Sequence, residues 1–277
     1  MHIEVLDLIP TYLRCRTRQA WAEYEQAYPQ LFRHYNRYWA GDDFPYADLA
    51  PHEAKRRAGM IHARLPAIQQ ALQAAFPQGD HVKVALFVGK GTSNGHAFWD
   101  EERRAYVVWL PVEAYTTFLQ VDVFVTHEIL HALQYAHQPE LYFTNERQMK
   151  RVGRQVVTEG FATYGTMQVL GCDERTALWA DYVPPEFAHA WYGQCRRRES
   201  ELVTRILHEW NASSQDNPWF TMWDETDVSR YRGGYYVGLR VFQELVRRYQ
   251  ADLPTMLAWV ARVLEARVLE TLARLAG

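Results

Sequence analysis

The residues best suited to chemistry lie in Val125-Thr126-His127-Glu128-Ile129-Leu130-His131-Ala132-Leu133. His127 and His131 are four residues apart, so on a helix they share one face. Two imidazoles one turn apart can bring nitrogens to about 2.0–2.1 Å from a single Zn²⁺. Glu128, beside the first histidine, can reach a water in an open coordination position. The metal lowers the pKa of that water and the glutamate takes its proton. The plainer alternative is a helix with a capped histidine, a surface glutamate and a second histidine against the core. Val123, Phe124, Val125, Ile129, Leu130, Ala132 and Leu133 flank the motif with apolar side chains on almost every side, which describes a buried helix. Two histidines and a carboxylate buried there need partners, and a metal would satisfy all three.

A hydrolytic zinc site needs a third protein ligand. His137 follows His127 by ten residues, the spacing of the metzincin signature, but the glycine which that signature requires is Gln134 here. With no glycine to end the helix, His137 continues about 9 Å beyond His131 and off the face, as a solvent-facing or helix C-terminal histidine. Glu159 is the better placed residue. It lies 28 residues past His131, beyond a loop through Gln138-Pro139, on a second helix expected over Asn145 to Leu170. Met149, Val152, Val156, Val157, Phe161, Tyr164 and Met167 give that segment an apolar side, and Glu159 falls in the apolar half. A carboxylate there is either a metal ligand or the buried ion-pair partner of an arginine such as Arg154.

His127-Glu128-x-x-His131 followed by Glu159-Gly160-Phe161-Ala162-Thr163-Tyr164 resembles the gluzincin clan of zinc metallopeptidases. The Glu-Gly-Phe-Ala-x-Tyr wording is similar to that of the clan's aminopeptidases. Gly234-Tyr235-Tyr236-Val237-Gly238-Leu239-Arg240-Val241 is similar to the last motif of an uncharacterised group of predicted zinc-dependent proteases. The likeness covers roughly residues 85 to 245. It implies His127, His131 and Glu159 as zinc ligands and Glu128 as general base, in an α+β, helix-rich, zincin-like (thermolysin-like) unit with a small mixed sheet beside the His-Glu-x-x-His helix. There are departures. No Gly-x-Met-Glu-Asn is present, so exopeptidase activity does not carry over. Thr163 stands where thermolysin-like members place an aspartate that orients a zinc histidine, so another carboxylate or a carbonyl should hold the imidazoles.

Arg230-Tyr231-Arg232-Gly233-Gly234-Tyr235-Tyr236 is the remaining chemical candidate. Two glycines before a helix let the backbone bring later side chains near a ligand. A tyrosine hydroxyl or an arginine near the zinc would then stabilise an oxyanion. The alternative is a tyrosine packed at a helix start. Tyr235 is preferred over Tyr236 because the resemblance aligns Gly-Tyr there.

Composition bounds the class. With 277 residues and 48% hydrophobic content the chain can bury one large or two small cores. A net charge of −3 gives no electrostatic case for nucleic acid or an anionic membrane. Most of the 10 Trp, 17 Tyr and 12 Phe are expected in the core. Cys15, Cys172 and Cys195 are odd in number and widely spaced. That argues against a disulfide framework or a structural zinc knuckle and for a reducing compartment. The amino terminus carries acids where a signal peptide has its apolar core, and no apolar run approaches the length of a membrane span. A soluble, cytoplasmic protein is expected, and Asn211-Ala212-Ser213 is then no glycosylation site. Oligomeric state is not readable.

The elements around the site follow from periodicity. Residues 1–80 should form a helical amino-terminal region, 81–137 a sheet with the site helix, and 138–277 a helical region carrying the third ligand, together one compact catalytic unit. Trp21, Tyr24, Tyr28, Leu31, Tyr35 and Tyr38 mark a helical face over 17–39 with a break at Pro29. Ala58, Ile61, Leu65, Ile68, Leu72 and Phe76 mark another over 52–76, interrupted at Pro66. Val82, Val84, Leu86 and Val88 alternate as a strand, and Tyr106 to Leu110 form a second. Gly89 to Gly95 lie between. No helix follows this glycine-rich loop, so it has no phosphate site, and Asn94-Gly95 suggests a hairpin turn; the gluzincin resemblance implies a sheet edge beside the metal that pairs with an extended substrate, and this hairpin is the candidate for it. Pro218 to Trp223 is an apolar loop, either packed or forming a pocket. Arg196, Arg197 and Arg198 with Glu199 and Glu201 form a solvated helix face. Val241–Tyr249 and Leu253–Leu275 are closing helices. The function expected is a zinc metallopeptidase acting on a peptide or protein. The alternatives are a peptide- or partner-binding protein with a structural zinc, and a zinc hydrolase of another amide or ester.

Overall fold

The structure, a computed structural model, describes residues 1–15, 20–41, 45–213 and 218–277. It is α+β and helix-rich. The chain divides into two units, Met1–Leu133 and Gln134–Gly277.

The first unit carries the sheet. Strand β1 (His2–Asp7) leads into α1 (Ile9–Arg14), α2 (Trp21–Gln26) and α3 (Pro29–Tyr35). Pro29 opens α3, where its missing N–H costs nothing, so the break expected there is a helix start. Residues 17–19 of the expected helix lie outside the described residues. A π-helical turn, Asn36–Ala40, continues α3. Helix α4 (Pro51–Ala75) runs straight through Pro66 rather than being interrupted. Pro66 and His62 are both on its exposed side, so the carbonyl that loses its donor faces solvent and the interruption is tolerated.

Strands β2 (His81–Phe87), β3 (His96–Asp100) and β4 (Ala105–Pro111) complete a mixed four-stranded sheet of order β1-β2-β4-β3. β1 and β4 flank β2 in parallel, while β3 pairs antiparallel with β4 alone, His96 opposite Trp109. β3 is therefore an edge strand. The hairpin turn expected at Asn94-Gly95 is not there, because β2 and β3 do not pair. The reversal that joins paired strands lies at residues 101–104, held by Asp100, which accepts from the amides of Glu102 (2.9 Å) and Arg103 (2.8 Å). After β4, α5 (Phe118–Gln120) passes through a π-helical segment, Val121–Val125, into α6 (Thr126–His137). Arg64 of α4 grips Asp122 of that segment with two bonds of 2.7 and 2.8 Å, fixing where the site helix starts.

The second unit is helical: α7 (Glu146–Met149), α8 (Val152–Leu170), α9 (Glu174–Trp179), α10 (Pro185–Arg197), α11 (Glu199–His208), α12 (Gly233–Tyr249), α13 (Leu253–Ala258) and α14 (Ala261–Ala276). The single helix expected over Asn145–Leu170 is two, α7 and α8, parted at Lys150-Arg151. The closing helices are three. Gly233 and Gly234 lie inside the first turn of α12, and Trp259-Val260 separates α13 from α14. Gly171 in the left-handed region ends α8. α8 and α12 touch backbone to backbone: a Cβ on Gly238 would lie 2.8 Å from Gly160 Cα, and one on Gly160 2.9 Å from the Gly238 carbonyl oxygen. Among the described residues no helix is long and apolar enough to cross a membrane.

Candidate metal centre

Helix α6 is buried along almost its whole length. Ile129 and Leu130 are fully covered, His131 is 2% exposed, Glu128 6% and His127 9%. Burying two imidazoles and a carboxylate among valines and leucines is unfavourable without strong partners. The Nε2 atoms of His127 and His131 face one another at 3.1 Å, with the ring planes at 81°. Two nitrogens held by one tetrahedral ion with bonds of about 2.0–2.1 Å stand about 3.4 Å apart. The pair is thus already spaced as chelating ligands are. Each of His127, His131 and Glu159 offers a ligand atom within 4.8 Å of the others. Two imidazoles and a carboxylate form a donor set suited to zinc or a similar divalent cation.

The other candidates fall outside this group. His137 is exposed at the last position of α6 and is not among the three. Arg154, the alternative partner considered for Glu159, is engaged elsewhere. It donates to the Leu141 carbonyl (2.7 Å) and the Tyr135 hydroxyl (3.0 Å) and lies over the Phe143 ring. Glu159 stands half-buried on α8, just before the glycine at which α8 meets α12. Thr163, four residues after Glu159, is buried at 1% exposure.

Of the two tyrosines at the start of α12, Tyr236 is fully buried and its hydroxyl donates to Glu199, which also accepts from Arg240. Burial and that bond push its pKa up, and the hydroxyl is committed to structure. Tyr235 is half-buried, packed against Phe220 and under the Arg232 guanidinium. The neighbouring loop divides: Trp219 is fully buried, whereas Met222 and Trp223 are 45% and 50% exposed. Arg198, from the arginine run, is held by Glu201 (2.7 Å) and Asp227 (2.8 Å).

Four residues that spacing does not reveal set the surroundings of Glu128. Gly95 precedes β3, and a Cβ there would lie 2.7 Å from Glu128 Cγ and 3.2 Å from its Cδ. The carboxylate occupies the space of a missing side chain. The loop bearing Gly95 is fastened at several points. Glu113 accepts from the amides of Gly89 (2.9 Å) and Gly91 (3.1 Å), Tyr35 accepts from the Lys90 amide (2.7 Å), and the Tyr115 hydroxyl donates to the Asn94 carbonyl. Tyr115 is fully buried; that burial, with the charges of Glu128 and Glu113, lifts its pKa well above the usual value and keeps it a donor. The loop is a rigid wall beside Glu128, not a phosphate cradle.

No family model, no curated protein and no solved structure matches this chain.

Proposed function

We propose that the chain is a zinc-dependent metallopeptidase of the gluzincin type. The observation that carries the reading is the convergence of His127, His131 and Glu159 around one point, with Glu128 next to the first ligand on the same buried helix. The Nε2 atoms of the two histidines and a carboxylate oxygen of Glu159 would hold the ion. When bound, zinc acidifies water and polarises a carbonyl. Glu128 receives the proton as water adds to the scissile carbonyl, then hands it to the departing amine, and burial strengthens both transfers by excluding competing solvent. Tyr235 steadies the developing oxyanion, Tyr236 being bound to Glu199. β3 pairs with β4 along one edge only, so its other edge can hydrogen-bond an extended substrate. The three cysteines are unpaired, which suits a reducing, cytoplasmic setting.

The test combines metal content with turnover on a peptide library, for wild type, Glu128→Gln and Glu159→Ala. About one zinc per chain is expected in wild type and Glu128→Gln and much less in Glu159→Ala, with Glu128→Gln slower by several orders of magnitude. A zinc-loaded wild type that cleaves no peptide overturns the peptidase reading. Zinc bound through a fourth protein ligand would make the site structural.

A further inference from the structure

The Arg232 side chain lacks the polar partners that Arg198, Arg205 and Arg240 have, and among the described residues Arg230 likewise meets only a ring, that of Trp223. Arg198 is matched by Glu201 and Asp227, Arg240 by Glu199 and Gln243, and Arg205 by Ser229 and Glu201. Among the described residues the Arg232 guanidinium makes no ion pair and no hydrogen bond. Its contacts are two rings, with its central carbon 4.6 Å from the Trp179 centroid and 4.3 Å from that of Tyr235. Such contacts engage the flat face of a guanidinium and leave its in-plane N–H donors available. That plane matches a carboxylate with two parallel bonds.

The backbone holds this residue in place at a cost. Arg232 has φ 60° and ψ 18°, the left-handed region, although it carries a full side chain. Its amide donates to the Thr221 carbonyl at 2.8 Å and its own carbonyl accepts from Tyr235 at 3.1 Å. Trp179 is followed by Ala180, another positive-φ residue that is not glycine. Two strained positions thus flank one arginine–aromatic cluster, and such strain gathers where a geometry is needed for a ligand. Tyr235, the ring under the guanidinium, lies one turn before Gly238 on α12. Gly238 in turn touches Gly160, the residue after Glu159.

We infer that Arg232 is the substrate's carboxylate receptor, resting on the metallopeptidase reading of the site to which Glu159 belongs. The substrate class is then a peptide that presents a carboxylate a short distance from the cleaved bond, as a free carboxyl terminus or as an Asp or Glu side chain. Trp179 and Tyr235 keep the guanidinium flat and partly desolvated, so a carboxylate meets a donor edge set in advance.

The test uses one cleavable peptide in three forms: free acid, carboxyl-terminal amide, and amide with a glutamate near the cleaved bond. Each is assayed with wild type, Arg232→Lys and Arg232→Gln, after melting curves establish that the variants fold. Wild type should favour a carboxylate-bearing form over the plain amide by roughly 10- to 100-fold in kcat/KM, expressed mainly in KM. Arg232→Gln should bring that ratio toward one, and Arg232→Lys should restore part of it. The free acid or the glutamate form being preferred identifies the source of the carboxylate. Equal cleavage of all three by wild type, or a preference that survives Arg232→Gln, overturns the inference and leaves the peptidase reading standing. If no peptide is cleaved, calorimetric titration with N-acetyl-dialanine and its amide separates the two. Binding of the acid alone, lost in Arg232→Gln, keeps the receptor; no binding of either removes it.

Discussion

Gly95→Ala is a small change expected to act on the general base. The new Cβ would stand 2.7 Å from Glu128 Cγ, 3.2 Å from its Cδ and 3.2 Å from Leu110 Cδ2. Carbon atoms rest at about 3.5–4.0 Å, so something must retreat by close to 1 Å. Leu110 is fully buried in β4, which is paired on both sides. The Gly95 loop is held by Glu113, Tyr35 and Tyr115. The Glu128 side chain is the part left to yield. A displacement of ~1 Å from the productive position costs about 100-fold in rate, equivalent to about 2.7 kcal/mol of barrier, and overpacking adds about 1–3 kcal/mol of destabilisation. Zinc content should stay near wild type, because neither histidine is touched. The assay is metal analysis, urea denaturation and peptide turnover on Gly95→Ala, Glu128→Ala and the double variant. Truncating residue 128 to its Cβ removes both Glu128 atoms that the new methyl would meet, so Gly95→Ala should cost about 1 kcal/mol less stability in that background. Wild-type turnover and stability in Gly95→Ala, or an equal stability cost in both backgrounds, refutes the idea that Gly95 makes room for Glu128.

Four further outcomes are expected. Burial pushes the Glu113 carboxyl up, against the pull of the Gly89 and Gly91 amides and of Arg57. A folded-state pKa raised above the unfolded one contributes most at low pH, and that contribution is lost as pH rises through the folded value. Glu113→Gln should therefore lose less stability than wild type between pH 4.5 and 7 in urea melts, and parallel pH slopes would count against it. Gly238→Ala would place a Cβ 2.8 Å from Gly160 Cα and 3.1 Å from Gly160 N, backbone atoms that cannot swing aside. It should cost about 1–3 kcal/mol in urea denaturation. Gly193→Ala meets only the tip of Arg197 at 3.4 Å inside α10, and should be neutral or stabilising by up to ~1 kcal/mol. Cys172 is pushed up to about 11 by burial and then by the Asp173 charge. Its thiolate fraction at pH 7.5 is on the order of 1 in 3,000. Iodoacetamide labelling followed by mass spectrometry should find Cys172 slow in the folded protein and faster as pH approaches 11.

What sequence made legible was what one helix decides alone. His127 and His131 share a face because of helical pitch, and Glu159 stands out because an apolar helix half seldom carries a carboxylate without a reason. The α+β class, rich in helix with a small mixed sheet, follows from the change of period at residue 81. Legibility failed where a second segment decides. Pro66 looked like a break because the rule concerns the helix, whereas the exposed side on which it falls is set by what α4 packs against. Between Tyr235 and Tyr236 the sequence offers only the motif alignment that prefers Tyr235, and it is the bond from Tyr236 to Glu199, a residue of another helix, that commits the second hydroxyl to structure.

Asn94-Gly95 shows why a correct residue preference can still give a wrong element. Glycine is favoured in a hairpin turn because φ can be positive there, and it is required beside Glu128 because a Cβ would collide. The two demands leave the same letter in the sequence, and they are told apart only by conformation. Among the glycines of this loop, Gly91 has the positive φ (70°) with no atom near its missing Cβ, whereas Gly95 has three atoms within 3.2 Å and no positive φ. The first is a turn glycine and the second a spacing glycine. Replacing Gly91 should therefore cost stability through backbone strain without touching Glu128. Replacing Gly95 should reach the general base directly.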